Sequence, residues 1–503
     1  MSYPIVVLYH RSPPDLNERE GTQVNWRKDQ SPNGIIPYLL EVMTNLSKDS
    51  CWISATLEPT EATSTLYTIK DGGFCSSRLY IIPEDYTLFY DIYSKQYLWP
   101  ILHQYPEYVI ELPPNATTSF IKVNKLFAQA ACDKTSQGGT VWVHDYNLWL
   151  TPHFIKKIRP DIKVSFFFHT TFPQKKYLES LQNKSFFVES LLDCDLIGFH
   201  IPRFVNLCAD WLQEYLVKQI DKTDISITYT PSDTELLNPF SALTDYEVVS
   251  ELKTPNSSTK FVAKPLPVKY VNAIESIEGE NPIFTCNDLK IYENKDLAWF
   301  VQKASQIDYD DDIRIIFSAR CDYTKGAVEL LKALKKLVSI LPEIVPWLHV
   351  DFISVPSVVS NPVYNEVAEQ IDAICNAINV SAKRKVIHLI DYCLPQKELY
   401  QLLQETDICC VPSIYDGLNM LAKEFISVRN SSTGRLILSR YAGASVELNE
   451  AILVDPFYTD DLLRGILLAI IDNPKSFCHS IDKMKQKMKS DSDKWSLHFL
   501  PFH

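Results

Sequence analysis

Three histidines each close a short apolar run: Val141-Trp142-Val143-His144, Phe166-Phe167-Phe168-His169 and Ile197-Gly198-Phe199-His200. A single histidine at a strand end is usually a hydrogen-bonding core residue, and the sequence spacing of these three does little to support a zinc site. Three at matching strand ends, with Asp145 beside the first, nevertheless mark one sheet edge where polar groups gather. A second cluster is basic. Ala319-Arg320-Cys321-Asp322-Tyr323-Thr324-Lys325-Gly326 links an apolar run to a helical pattern. Arg320 and Lys325 would point at one crevice beside the free amides of a helix start, which suits a diphosphate. Gly326 suits the sharp turn. The same strand–loop–helix grammar recurs from Ser413 to Glu424, where the amides of Gly417, Leu418 and Asn419 would face an anion. Glu424 could accept both hydroxyls of a ribose. The ordinary alternatives are a solvated loop at Arg320–Lys325, an N-cap at Asp416 and a surface glutamate at position 424. Tyr441-Ala442-Gly443-Ala444-Ser445-Val446-Glu447 forms a third such loop.

Asp193-Cys194-Asp195 and the run Asp308–Asp312 could mimic a metal-binding DxD, but both read as solvated loop residues. With Arg320 and Lys325 available to neutralise a leaving diphosphate, no metal is required, and no cofactor is expected.

The elements that must position these residues are short β-branched runs alternating with amphipathic segments, the signature of parallel sheets with crossover helices. In the first half the clearest strands are 4–9, 140–144, 164–169 and 196–200. In the second half they are 313–318, 348–355, 386–390, 408–411, 436–439 and 452–454. Leu330, Leu331, Leu334, Leu337, Val338 and Leu341 recur at helical spacing and predict a helix over 327–341. The polar stretch 228–260 reads as an excursion built on a hairpin. The fold class is therefore α/β, with a first Rossmann-like domain over 1–270 and a second over 271–475. An amphipathic C-terminal helix over 476–503 is expected to return to the first.

Length supports two domains, because single hydrophobic cores stop growing near roughly 250–300 residues and the chain has 503. Its net charge of −13 argues against a nucleic-acid partner, whose phosphates need a basic surface. No apolar run approaches the ~20 residues that span a bilayer, so no membrane partner is expected. The 12 cysteines are scattered apart from Cys409-Cys410 and read as buried reduced thiols of a cytoplasmic protein.

Taken in order, these stretches resemble the trehalose-phosphate synthase family of retaining glycosyltransferases. The motifs are Tyr9-His10-Arg11, His144-Asp145-Tyr146, His169 with Phe172-Pro173, Asp195 to His200, Arg320 with Asp322 to Gly326, and Asp416 to Asn419 with Glu424. The similarity runs from Tyr9 to Pro456. It implies the GT-B architecture, two Rossmann-like domains facing a central cleft. It also implies that Arg320 and Lys325 hold the donor diphosphate, that Glu424 holds the ribose, and that His169 with Asp416, Gly417, Leu418 and Asn419 holds the donor sugar. Arg11, Tyr90, Trp99 and Asp145 would face the acceptor. In the family the leaving phosphate takes the acceptor proton on the face it departs from, so no dedicated nucleophile is needed.

Two departures bear on the acceptor. Where trehalose-phosphate synthases carry Gly-Gly-Leu, this chain has Ser31-Pro32-Asn33-Gly34-Ile35. Where they carry an arginine after the strand 348–355, it has Val355-Pro356-Ser357-Val358. Loss of that arginine weakens the case for glucose 6-phosphate, while Arg11 keeps a phosphorylated acceptor in view. The chain looks most like the glucosylglycerol-phosphate synthase branch, which transfers glucose, typically from ADP-glucose, to glycerol 3-phosphate. The donor base is not set by these residues, so UDP-glucose and GDP-glucose stay open. The rival readings are a trehalose-6-phosphate synthase, a pseudo-glycosyltransferase, and a non-catalytic binder of sugar nucleotides.

Overall fold

Strands rich in Ile, Val and Phe assemble two separate sheets. The computed structural model describes residues 2–13, 19–20, 23–24, 34–46, 49–58, 64–69, 72–232, 237–268, 295–309, 311–357, 361–429, 434–471, 474–489, 495–496 and 498–500. Of the stretches that depart from the family pattern, 31–33 and Val358 lie outside these. The chain divides into two compact units, an N-terminal one of residues 1–232, 245–266 and 493–503 and a C-terminal one of residues 233–244 and 267–492. The first boundary falls near 267, but a short piece of the preceding excursion belongs to the C-terminal unit. The expected C-terminal helix also differs: Pro474–Lys489 is helical and lies within the C-terminal unit, and only the residues after it join the N-terminal one.

In chain order the strands are β1 (Tyr3–Leu8), β2 (Arg19–Glu20), β3 (Gln23–Val24), β4 (Ser50–Thr56), β5 (Ser64–Ile69), β6 (Gly72–Tyr80), β7 (Thr135–His144), β8 (Lys163–Phe167), β9 (Leu196–Phe199), β10 (Ser226–Pro231), β11 (Glu247–Lys253) and β12 (Ser258–Ala263). Apart from the small β2–β3 pair, they form one sheet ordered β10-β11-β12-β9-β8-β7-β1-β4-β6-β5 among the described residues. From β12 to β6 every neighbouring pair is parallel, and antiparallel strands close both edges. The polar excursion thus supplies β10, β11 and β12. Strand order reverses between β1 and β7, which makes that gap the sheet's topological switch point.

The C-terminal unit continues with β13 (Ile313–Arg320), β14 (Leu348–Val355), β15 (Ile387–Ile390), β16 (Ile408–Val411), β17 (Arg435–Ser439) and β18 (Ile452–Val454). They form an all-parallel sheet ordered β15-β14-β13-β16-β17-β18. Such a sheet must be covered on both faces. Its helix Ala327–Ile340 buries Leu330, Leu331, Leu334, Leu337 and Val338 on one stripe. Cys409 and Cys410 are both buried in β16, where burial pushes their thiols above the ordinary range. The switch point here lies between β13 and β16, so the loops after these two strands meet at the rim where open α/β sheets bind ligands.

Candidate active site

In the N-terminal unit Arg11 follows β1 and Asp145 follows β7, so the two residues flank the switch point. Asp145 has φ 73° and ψ 158°, a backbone region almost confined to glycine. Its amide donates to the Phe167 carbonyl at 2.8 Å, and its Oδ1 accepts from the Tyr146 amide at 3.0 Å. One neighbouring strand away, His144 Nδ1 and His169 Nε2 share a hydrogen bond of 2.9 Å. The His169 and His200 rings lie 5.4 Å apart. Two of the three strand-end histidines therefore bond to each other. Burial holds His144 down at about 3, and burial with the two other rings holds His169 far below its ordinary value. Both imidazoles are neutral at pH 7. His169 Nδ1 and His144 Nε2 are buried without a hydrogen-bond partner among the described residues, so they remain available to a ligand or to a water.

Tyr90 and Trp99 are brought together by an unusual element. Residues Thr87–Leu98 wind as a π-helix that runs directly into the α-turn Trp99–Leu102. Side chains repeat the i to i−5 pattern: Ser94 Oγ donates to the Phe89 carbonyl at 2.8 Å and Gln96 Nε2 to the Asp91 carbonyl at 3.1 Å. In an α-helix residues five apart point about 140° away from each other, whereas the wider turn sets Tyr90, Lys95 and Trp99 on one side. Lys95 Nζ lies 4.2 Å from the Trp99 ring centroid and 5.6 Å from that of Tyr90. Arg11 Nη2 donates to the Tyr90 hydroxyl at 3.2 Å. Lys95 belongs to this cluster although nothing in the α-helical reading of the sequence singles it out. The signal that could have found it is the five-residue spacing from Tyr90.

In the C-terminal unit the Arg320 and Asp416 loops are locked together. Asp322 caps its own turn, its Oδ1 accepting from the Thr324 amide at 3.0 Å and the Thr324 hydroxyl at 2.9 Å. Its other oxygen lies 3.6 Å from Arg320 Nη2. Gly326 has φ +70°, and a Cβ there would overlap the Pro412 carbonyl. Only glycine lets the first loop approach the second so closely. Lys325 Nζ contacts Asp416 Oδ2 at 2.6 Å, and the same oxygen accepts from Ser413 Oγ at 3.1 Å and Asn419 Nδ2 at 3.0 Å. Asp416 is thus a hub that orients Lys325, not a plain N-cap. The cap of helix Met420–Val428 is Asn419, whose Oδ1 accepts from the Ala422 amide at 3.3 Å.

The third loop packs as tightly. A Cβ on Gly443 would overlap the Gly417 carbonyl, and the amides of Gly443 and Ala444 donate to the carbonyls of Asp416 at 3.0 Å and Leu418 at 2.7 Å. Leu418 is buried. Glu424 is also buried, and that burial lifts its carboxyl to about 7. Its neighbour Lys423 pairs with Glu447 at 2.6 Å. The acidic stretches read as solvated are partly structural. Asp193 Oδ2 lies 2.7 Å from His153 Nδ1, Asp195 Oδ2 pairs with Lys156 at 2.8 Å and accepts from the Val164 amide at 2.7 Å, and Asp312 lies 3.3 Å from His349.

Two Rossmann-like sheets, each with its polar cluster at the switch point, are the α/β make-up of the GT-B fold class. The solved α,α-trehalose-phosphate synthase (UDP-forming) from Burkholderia xenovorans in complex with glucose-6-phosphate superposes with a TM-score of 0.76 at 18% identity, covering 99% of each chain. The sequence profile of Glycosyltransferase family 20 matches residues 3–235 and 289–501, and the chain belongs to that family. It is similar to a glucosylglycerol-phosphate synthase of Synechocystis sp., 30% identical over 99% of this chain and 97% of the relative. A trehalose-6-phosphate synthase of Mycolicibacterium smegmatis is 26% identical over 98% and 91%. Among the described residues, no helix is long and apolar enough to cross a membrane.

Proposed function

We propose that this glycosyltransferase moves glucose from a nucleotide sugar, ADP-glucose first among them, to glycerol 3-phosphate, with retention at the anomeric carbon. The observation that carries the choice of acceptor is the full-length likeness to a glucosylglycerol-phosphate synthase at 30% identity, against 26% for the trehalose enzyme. In this reading Arg320 and Lys325 grip the donor diphosphate, and Asp416 keeps Lys325 in place. Glu424 takes the ribose hydroxyls. His169 and the Gly417–Asn419 backbone hold the glucose. Arg11, Tyr90, Trp99 and Asp145 hold the acceptor. The bond from glucose C1 to the diphosphate oxygen breaks while the acceptor hydroxyl bonds to C1 on the same face. Its proton passes to the departing phosphate, leaving a nucleoside diphosphate and glucosylglycerol phosphate.

The two cations replace a metal in stabilising the leaving group. Activity should therefore survive EDTA, and complete loss restored by Mg²⁺ or Mn²⁺ would overturn that assignment. A second reading, glucose 6-phosphate as acceptor, is favoured by the solved neighbour that holds this sugar phosphate. A matrix of ADP-, UDP- and GDP-glucose against glycerol 3-phosphate and glucose 6-phosphate decides between them. Faster turnover with glucose 6-phosphate would replace our choice, and no turnover with any pair would point to a non-catalytic binder.

A further inference from the structure

Burial alone makes a thiol inert, because the thiolate is the reactive form. It lifts Cys132 to about 11 and both Cys375 and Cys410 to about 12. One pair departs from this. Cys51 on β4 and Cys75 on β6 are direct partners in the parallel register of the N-terminal sheet, so their side chains leave the same face of neighbouring strands. Such strands run about 4.8 Å apart, inside the Cα separation that a disulfide spans. Both residues are buried free thiols. The two sulfurs share a hydrogen bond, and the Tyr3 hydroxyl, at the start of β1, bonds to Cys75 as well. Cys51 and Tyr3 are the donors. Cys51 is raised, first by its bond to Cys75, and Tyr3 is raised by burial and then by the same sulfur. The Cys51 bond, with Tyr3 and the Lys134 ammonium behind it, draws Cys75 down to about 6 against the pull of burial. Among the described cysteines no other thiol is shifted downwards.

We propose that Cys51 and Cys75 are an oxidation site, at which Cys75 reacts with hydrogen peroxide and Cys51 closes the product to a disulfide. In the first step Cys75 Sγ attacks one peroxide oxygen and the O–O bond breaks, leaving a sulfenic acid on Cys75. The departing hydroxide takes up a proton from solvent, the one Cys75 gave up on ionising. In the second step Cys51 Sγ attacks the oxidised sulfur, the S–O bond breaks, and the Cys51 proton leaves with the hydroxide as water. Two thiols are oxidised and one peroxide is reduced to two waters. The hydrogen bonds set the division of labour, since the accepting sulfur ionises and the donating one keeps its proton until it resolves the intermediate. Peroxide, little larger than water, suits a pair this buried. The bond would tie β6 to β4, the strand whose Ile53 carbonyl and Ala55 amide hold Tyr9 and His10 at 3.2 Å and 3.1 Å. Neither donor nor acceptor takes part, so the site stands apart from the transfer reaction proposed above.

The test treats the reduced full chain, freed of reductant, with hydrogen peroxide under folding conditions, then alkylates it and maps its peptides by mass spectrometry. A Cys51–Cys75 linked peptide should accumulate at least about tenfold faster than oxidation at Cys409 or Cys410, and dithiothreitol should reverse it. Between pH 7 and pH 8 its rate of formation should change less than about threefold, where an ordinary thiol with a pKa near 8.5 gains about tenfold. C51A should stop at the sulfenic acid, captured on Cys75 by dimedone, and C75A should give neither product. Absence of the link in folded wild-type protein overturns the proposal, as does its formation no faster than oxidation of the other thiols. A dimedone adduct on Cys51 in C75A, or a tenfold gain in rate between pH 7 and pH 8, overturns the assignment of Cys75 as the attacking sulfur. Thermal melts check both variants, and if either fails to fold the wild-type map and its pH profile decide alone.

Discussion

Asp145 holds a conformation that costs a side-chain-bearing residue about 1–3 kcal/mol, and it does so at the switch point. Strain is tolerated where the surrounding structure over-determines it, here through the Phe167 carbonyl and the Tyr146 amide. D145A keeps the strain and loses the side-chain bond, whereas D145G relieves the strain. D145G should therefore be more stable than D145A by about 1–2 kcal/mol in chemical denaturation, while both lose transfer activity. A more stable alanine variant would show that the backbone is not held against its preference. At the diphosphate side, R320A and K325A should each lower kcat by ~10²–10³ with folding intact, the scale of losing one preorganised donor. K325A has a further signature, since it leaves the Asp416 carboxylate beside the donor site without its cation. Its donor KM should rise more than that of R320A in steady-state kinetics.

At the scale of elements, the loops after β13 and β16 work as one piece because Gly326 permits their contact. G326A places a Cβ against the Pro412 carbonyl at a positive φ, and should cost about 2 kcal/mol or more in thermal unfolding while raising donor KM. This part of the site was legible in the sequence. His144 and His169 in the first sheet, and Arg320 and Asp416 in the second, each stand at or just past the end of an apolar run, and a parallel strand delivers such residues to the rim of its own sheet. Glu424 was legible as a position but not as a buried acid, since burial depends on loops far apart in sequence. The edge of the N-terminal sheet was not legible. Ser50–Thr56 and Gly72–Tyr80 carry four serines and two glycines between them, and they become strands by pairing with β1 and with each other. Lys95 was hidden for a different reason. Helical pattern reading assumes 3.6 residues per turn, and Thr87–Leu98 does not obey it.

At the scale of the whole molecule, the two units carry buried groups with opposite responses to pH. Glu424 is raised from 4.5 to about 7, so it binds its proton more tightly folded than unfolded. Its contribution is intact below about pH 4.5 and is lost as the pH climbs through 7, a span worth of order 3 kcal/mol. His144 and His169 have the reverse sign. Their folded values are depressed below 6.5, so stability is full above 6.5 and is lost as the pH falls towards that of the folded rings. Calorimetric scans from pH 7.5 to 5 should show the N-terminal transition moving down and the C-terminal one moving up, with E424Q flattening the latter. Parallel movement of both transitions would rule these groups out as the source.

The last described residues return to the N-terminal unit. Phe499 is fully buried, stacks on Trp142 at 5.6 Å and accepts from Ser165 Oγ at 3.0 Å, while Trp495 Nε1 donates to the Lys264 carbonyl at 3.1 Å. As the polypeptide leaves the ribosome, Trp142 and Phe167 therefore wait for a cover that is not yet translated. The unit made first is finished last, after all of the second unit has been synthesised. A stop codon or a bulky fusion placed at residue 494 would injure the N-terminal unit, exposing the aromatic surface of Trp142 and Phe167 to chaperones.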